Sequence, residues 1–233
     1  MPVGSLYEYL KSNRDGTHPS PVSLYVARID RIESLKWSPG DTTATLVVAE
    51  LDWDRFSVRR FESWGLAKGA VPELRATLEA DPSGAGVRIS FQPDSLITVT
   101  AWPWHSYDFD FASLNLAMAH LLEPESPFRF ERVDVVYEGP PPNFADLGSV
   151  GVRFVAREER LGRQTRLYEL SGPGLSDRRG NLWTAVDGGY LVEFELPFPD
   201  EPGFTDVRFR LQSVAEISPA DWEAYKRERI GDL

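Results

Sequence analysis

The chain has 233 residues, 42% of them hydrophobic and 26% charged, an ordinary globular make-up with room for one large all-β or α+β domain. Its formal net charge of −11 opposes nucleic acid and anionic membranes, and the absence of cysteine excludes disulfides, thiolate catalysis and Cys-ligated zinc. No apolar run is long enough to cross a membrane as a helix, and residues 1–21 hold no apolar signal core. A cytoplasmic protein is expected if Met1 is the native start, and a cell-envelope protein if the chain is a processed or trimmed form.

Residues 5–12 (SLYEYLKS) read as a short helix inside a leader covering 1–21, ended by Asn13-Arg14-Asp15-Gly16 and followed by Pro19 and Pro21. A single domain is expected over 22–233. Residues 22–37 read as strand, and Pro39-Gly40-Asp41 as a turn. Residues 43–51 (TATLVVAEL) are a dense β-branched run, and 57–64 alternate again. The period changes at 70–80 (AVPELRATLEA). Pro72 suits a first helical turn and Val71, Leu74 and Leu78 share a helical face, so a helix is predicted, stopped by Asp81-Pro82-Ser83-Gly84. Strands follow at 87–91 and 96–101. A second helix is predicted at 111–122, with Asp110 as its cap and Phe111, Leu114, Met118 and Leu121 as its apolar stripe.

Beyond Pro124 and Pro127 the chain reads as strands at 128–137, 150–158, 165–170, 182–186, 190–196 and 206–213, with a loop at 139–142. Asp187-Gly188-Gly189 joins the runs 182–186 and 190–196 in a hairpin. Alternation puts Tyr190, Val192, Phe194 and Leu196 on a greasy face and Glu193 and Glu195 on an acidic face in water. Ser218, Pro219 and Asp221 start a final helix as cap, first-turn proline and capping-box partner.

Catalytic chemistry finds few anchors. Of three histidines, His105 is the most suggestive: it sits in AWPWHSYDFDF among Trp102, Trp104, Tyr107 and Phe109, with Asp108 and Asp110 near. A His–Asp pair serves acid–base work, but no nucleophile or oxyanion motif accompanies it. Asp52-x-Asp54 and Asp108-x-Asp110 begin like calcium loops and lack the Gly and Glu that such loops need further on. No metal site and no cofactor is assigned. The run Arg153, Arg157, Arg160, Arg163 and Arg166 is either a solvated hairpin, partly neutralised by Glu158 and Glu159, or a docking patch for an acidic protein partner.

The order "RLYEL" (166–170), "GNLW" (180–183), "DGGYLVEFE" (187–195) and "DVRFRLQSV" (206–214) resembles the closing meander of the LolA- and LppX-like lipoprotein-carrier half-barrels of bacterial envelopes. The residues that carry the resemblance are Tyr168, Leu170, Trp183, Gly189 and Tyr190. It implies an α+β fold: a strongly curved antiparallel sheet, an incomplete barrel, with helices over its concave side and a C-terminal helix. It further implies a non-enzymatic carrier of a lipid or other hydrophobic ligand. On that expectation Tyr190, Val192, Phe194 and Leu196 meet Leu114, Met118 and Leu121 across a slot, with Trp183 and Trp104 in its lining. Two alternatives stand beside it. One is an interaction or structural module with a filled, dry interior. The other is an enzyme using paired carboxylates.

Overall fold

The computed structural model describes residues 2–81, 86–91, 95–98, 101–106, 111–136, 143–197 and 204–231. Asp108, Asp110, the turn at 82–84 and the loop at 139–142 lie outside them.

Among the described residues, fifteen strands form one sheet. In chain order they are β1 (Ser5–Ser12), β2 (Ser20–Arg28), β3 (Arg31–Trp37), β4 (Thr43–Asp52), β5 (Ser57–Ala67), β6 (Glu73–Ala80), β7 (Val87–Phe91), β8 (Ser95–Thr98), β9 (Trp104–His105), β10 (Phe128–Val136), β11 (Asn143–Arg160), β12 (Arg163–Ser171), β13 (Arg179–Ala185), β14 (Leu191–Leu196) and β15 (Val207–Glu216). Helix α1 (Ala112–Ala117) follows β9 and helix α2 (Pro219–Arg229) follows β15. The spatial order runs from β8 down to β1, then from β15 down to β9, so consecutive strands lie side by side except β8 and β9, which form the two edges, and β1 meets β15 in the middle. The β9–β10 pair is parallel; the other pairings are antiparallel. The sheet is unclosed but strongly curved. Edge strand β9 reaches across to β5, where the Ser57 hydroxyl donates to the Trp104 carbonyl at 3.1 Å and accepts from the Trp104 N–H at 2.9 Å.

Two expected helices are strands. Residues 5–12 are β1, paired on both sides by β2 and β15. Its alternation escapes a polar/apolar reading because both faces are buried: Tyr7 and Tyr9 enter one core and Leu6 the other. Residues 73–80 are β6, held between β5 and β7. Helix-favouring Ala, Leu and Glu lose there to two hydrogen-bonded ladders and to the burial of Ala76 and Leu78 in the main core. The helix expected at 111–122 is shorter: α1 runs to Ala117 and a 3-10 turn covers Met118–His120. The strand expected at 22–37 is the hairpin β2–β3, turning at Ile29-Asp30. The final helix starts where its signals put it, with Ser218 Oγ accepting from Asp221 N–H at 3.1 Å and the Asp221 carboxylate accepting from Ser218 N–H at 3.2 Å.

The sheet buries both faces over much of its width. The β4 run shows why it is apolar throughout: Val47, Ala49 and Leu51 enter the main core with α1, while Leu46 and Val48 enter a second core under Trp222 of α2. The two helices therefore pack on opposite faces.

Candidate functional site

Among the described residues, the side chains expected around the slot are packed into the core. Leu114, Met118, Phe194, Leu196 and Trp104 are buried together in the main core, with Leu121 packed against it. Phe194 stacks on Phe209 at 5.0 Å and meets Phe111 edge-on at 5.9 Å. The cavities described below lie elsewhere.

Trp183 and Val192 do not join that cluster. The register shifts between Trp183↔Glu193 and Thr184↔Leu191, which leaves Val192 as the extra residue of a β-bulge. The bulge turns Leu191 into the main core and puts Val192 with Trp183 and Ala185 on the outer face. Tyr190 packs against both clusters. The greasy face of the hairpin is thus Leu191, Phe194 and Leu196 rather than a strict alternation from Tyr190.

Leu191 stays paired with Thr184 but lies beyond the β14–β15 register, which starts at Glu193, and α1 and β1 supply its other partners. Asn115 Oδ1 accepts from Leu191 N–H at 2.7 Å, Asn115 Nδ2 donates to the Tyr9 hydroxyl at 2.8 Å, and that hydroxyl donates to the Leu191 carbonyl at 2.9 Å. The turn beside it is tight. Gly189 has φ +65°, and a Cβ there would stand 2.6 Å from Ala119 Cα. Only glycine suits that position.

The acidic face is not in water. Glu193 and Glu195 are only 2% and 7% exposed. Arg160 holds Glu193 at 2.7 Å, Arg14 holds Glu195 at 2.6 Å, and Arg208 reaches both, at 3.4 and 3.1 Å. Burial alone would raise the Glu195 carboxyl; the hydrogen bonds and charges of Arg14 and Arg208 outweigh it and hold the group below its ordinary range. Arg160 also lies 4.5 Å over the Trp183 ring, whose indole N–H donates to Glu158 at 2.6 Å. A depression of about 330 Å³ opens beside this network, walled mainly by charged groups that bond one another.

A larger groove, about 470 Å³, lies beside α2. The helix is seated on β1–β3: Trp222 stacks on Tyr25 at 5.1 Å, and the Tyr225 hydroxyl meets Glu8 at 2.8 Å and Ser23 at 2.7 Å. The outer face of β4 and β5 beyond it becomes the floor, with Leu46, Val48, Trp64 and Leu66. Ala67, Ala70 and Pro72 form one lip and Ile230 the other. The rim is charged, with Arg31, Glu33 and Glu62 from the sheet and Glu223, Lys226 and Arg227 from the helix. Glu33 ties the wall together, accepting from the Trp222 indole at 2.7 Å and from Lys226 at 3.3 Å. Burial pushes its carboxyl up, but these two donors prevail and its pKa is lowered. No sequence pattern marks this groove, because half of it comes from residues 64–72, which pattern as strand end and helix, and half from the charged side of α2.

His105 is buried and structural in its bonding. Nε2 meets the Phe56 carbonyl at 3.1 Å, which makes it the protonated nitrogen, and Nδ1 accepts from the Ser113 hydroxyl at 3.0 Å. Burial lowers its pKa to about 3, against a smaller opposing effect of the Phe56 carbonyl. A neutral imidazole sealed between two bonds is poorly placed for proton transfer to a substrate. The arginine run is mostly paired: Arg153 with Glu169 at 3.1 Å, Arg157 with Glu125 at 2.5 Å, and Arg160 as above. Among the described residues no three histidine or carboxylate side chains gather as a metal site, and no helix is long and apolar enough to cross a membrane.

No family model and no curated protein matches the chain. Among solved structures it is similar to a domain from Vibrio parahaemolyticus named for outer membrane lipoprotein sorting, at 9% identity and TM-score 0.28, over 96% of this chain and 91% of that one. It is also similar to a LolA superfamily protein from Nitrosomonas europaea, at 8% identity and TM-score 0.22, over 94% and 88%. At such identities and TM-scores the likeness carries no argument about family, ligand or mechanism.

Proposed function

We propose that the protein is a non-enzymatic binding protein for a lipid or other hydrophobic molecule, and that the groove between α2 and β4–β5 receives it. The observation that supports this is the groove: about 470 Å³, an aliphatic and aromatic floor, and a charged rim. Small-molecule sites have this size and this division of apolar walls and few polar groups. The ligand lies between sheet and helix as the resemblance implies, but on the face opposite α1. A cell-envelope location belongs to the same proposal and is tested by fractionating the host.

The test is native mass spectrometry of the purified chain with solvent extraction, followed by titration with a fluorescent fatty acid. A co-purifying lipid and saturable uptake are expected. Ala67 is exposed on the groove lip, so Ala67→Trp should fill the groove, weaken uptake about tenfold and leave the melting temperature unchanged. Absence of lipid and of uptake would instead favour an interaction module, a reading supported by the filled main core around Phe194.

A further inference from the structure

The charges around the groove beside α2 select a sign. Every carboxylate on its rim already has a cation. Glu33 has Lys226 at 3.3 Å and Arg31 at 3.4 Å, and Glu223 has Lys226 at 2.7 Å. Glu62 has Arg60 at 2.7 Å and also accepts the Trp64 indole N–H at 3.0 Å. Arg227 borders the same groove and is exposed. Among the described residues no carboxylate stands within ion-pair distance of it.

We infer that the groove takes an amphipathic anion, its single apolar chain on the Leu46–Leu66 floor and its carboxylate or phosphate head on the Arg227 guanidinium. This rests on the groove being the ligand site. A cationic head would find no free carboxylate on the rim, and a neutral head would leave the guanidinium without a partner. Guanidinium suits such heads because its fork of N–H donors matches two anionic oxygens at once. The net charge of −11 repels anions at long range. At physiological salt that field is screened beyond about 8 Å, so the groups bordering the groove decide. The volume suits one small molecule and no folded partner. Arg227 also lies in the last turn of α2, where a cation is favoured by the helix dipole whether or not a ligand binds. The test must separate these two roles.

The experiment is calorimetric titration of the full chain, at about 0.15 M salt, with dodecanoate, dodecyl phosphate, dodecanol and dodecyltrimethylammonium below their micelle concentrations. At least one anion should bind about fivefold tighter than dodecanol, the scale of one partly exposed ion pair, with the cation weakest. The tighter of the two anions identifies the head. Arg227→Gln should erase the anion preference and leave dodecanol binding as it was; Arg227→Lys should keep part of it. Equal binding of anions and alcohol overturns the inference while sparing the groove. So does an Arg227→Gln variant that melts earlier but binds every ligand as before, since Arg227 then serves the helix alone. Binding of none of the four sinks the ligand site itself.

Discussion

Asn115 closes a hydrogen-bonded ring with Tyr9 and the backbone of Leu191, all of it buried. Asn115→Ala leaves the Leu191 N–H without its acceptor and the Tyr9 hydroxyl without its donor. Each orphaned buried group costs about 1–3 kcal/mol, so a loss of roughly 3 kcal/mol is expected, read from the urea midpoint. His105 makes a different prediction. It is neutral in the fold with a pKa of about 3 against an ordinary 6.5, so below pH 6.5 the unfolded chain binds a proton that the folded chain refuses. Stability should therefore fall as pH drops from 6.5 toward 3, by at most about 1.4 kcal/mol per pH unit. His105→Gln should be less stable at neutral pH and lose that slope; an unchanged slope in the variant would assign it to other groups.

At the scale of elements, β14 carries the opposite loads of its two faces. Phe194 has no exposed surface, so Phe194→Asp should abolish folding, seen as loss of near-UV circular dichroism and of a cooperative melt. On the other face, the lowered pKa of Glu195, like that of Glu33 under α2, contributes stability that is complete above the ordinary value of 4.5 and is lost as pH falls below it. Glu195→Gln should flatten the acid limb of the stability curve there. The strands themselves were legible wherever one face alternates or β-branched residues crowd, as in β4, β7 and β12, and α2 was legible from Ser218, Pro219 and Asp221. What stayed hidden has physical causes. β1 is buried on both faces, so it lacks a polar side to mark its period. β6 is built from good helix formers that tertiary pairing overrules. The bulge at Val192 shifts the facing of Tyr190 and Val192, and no two-residue alternation announces it. Glu193 and Glu195 read as solvent-facing because their arginines come from 14, 160 and 208, far along the chain.

For the whole molecule, the candidate site follows from the same distribution. The face that carries α1 is sealed by aromatic packing and the Asn115 ring, so room remains where α2 covers only part of the outer face. The sequence could suggest a sheet with helices against it; it could not say which face would be left with a gap, because that depends on where a single tryptophan, Trp222, sets the helix down.

The pairing of β1 with β15 has a consequence for how the protein is made. The first strand of the sheet in chain order must wait for the last before it gains its second neighbour. Until then β1–β8 and β9–β14 are two stacks whose inner edges, β1 and β14, stay bare and invite the wrong partner. A chain lacking β15 would present both edges at once, so the addition of that strand, rather than the docking of either helix, is when the two halves of the sheet become one.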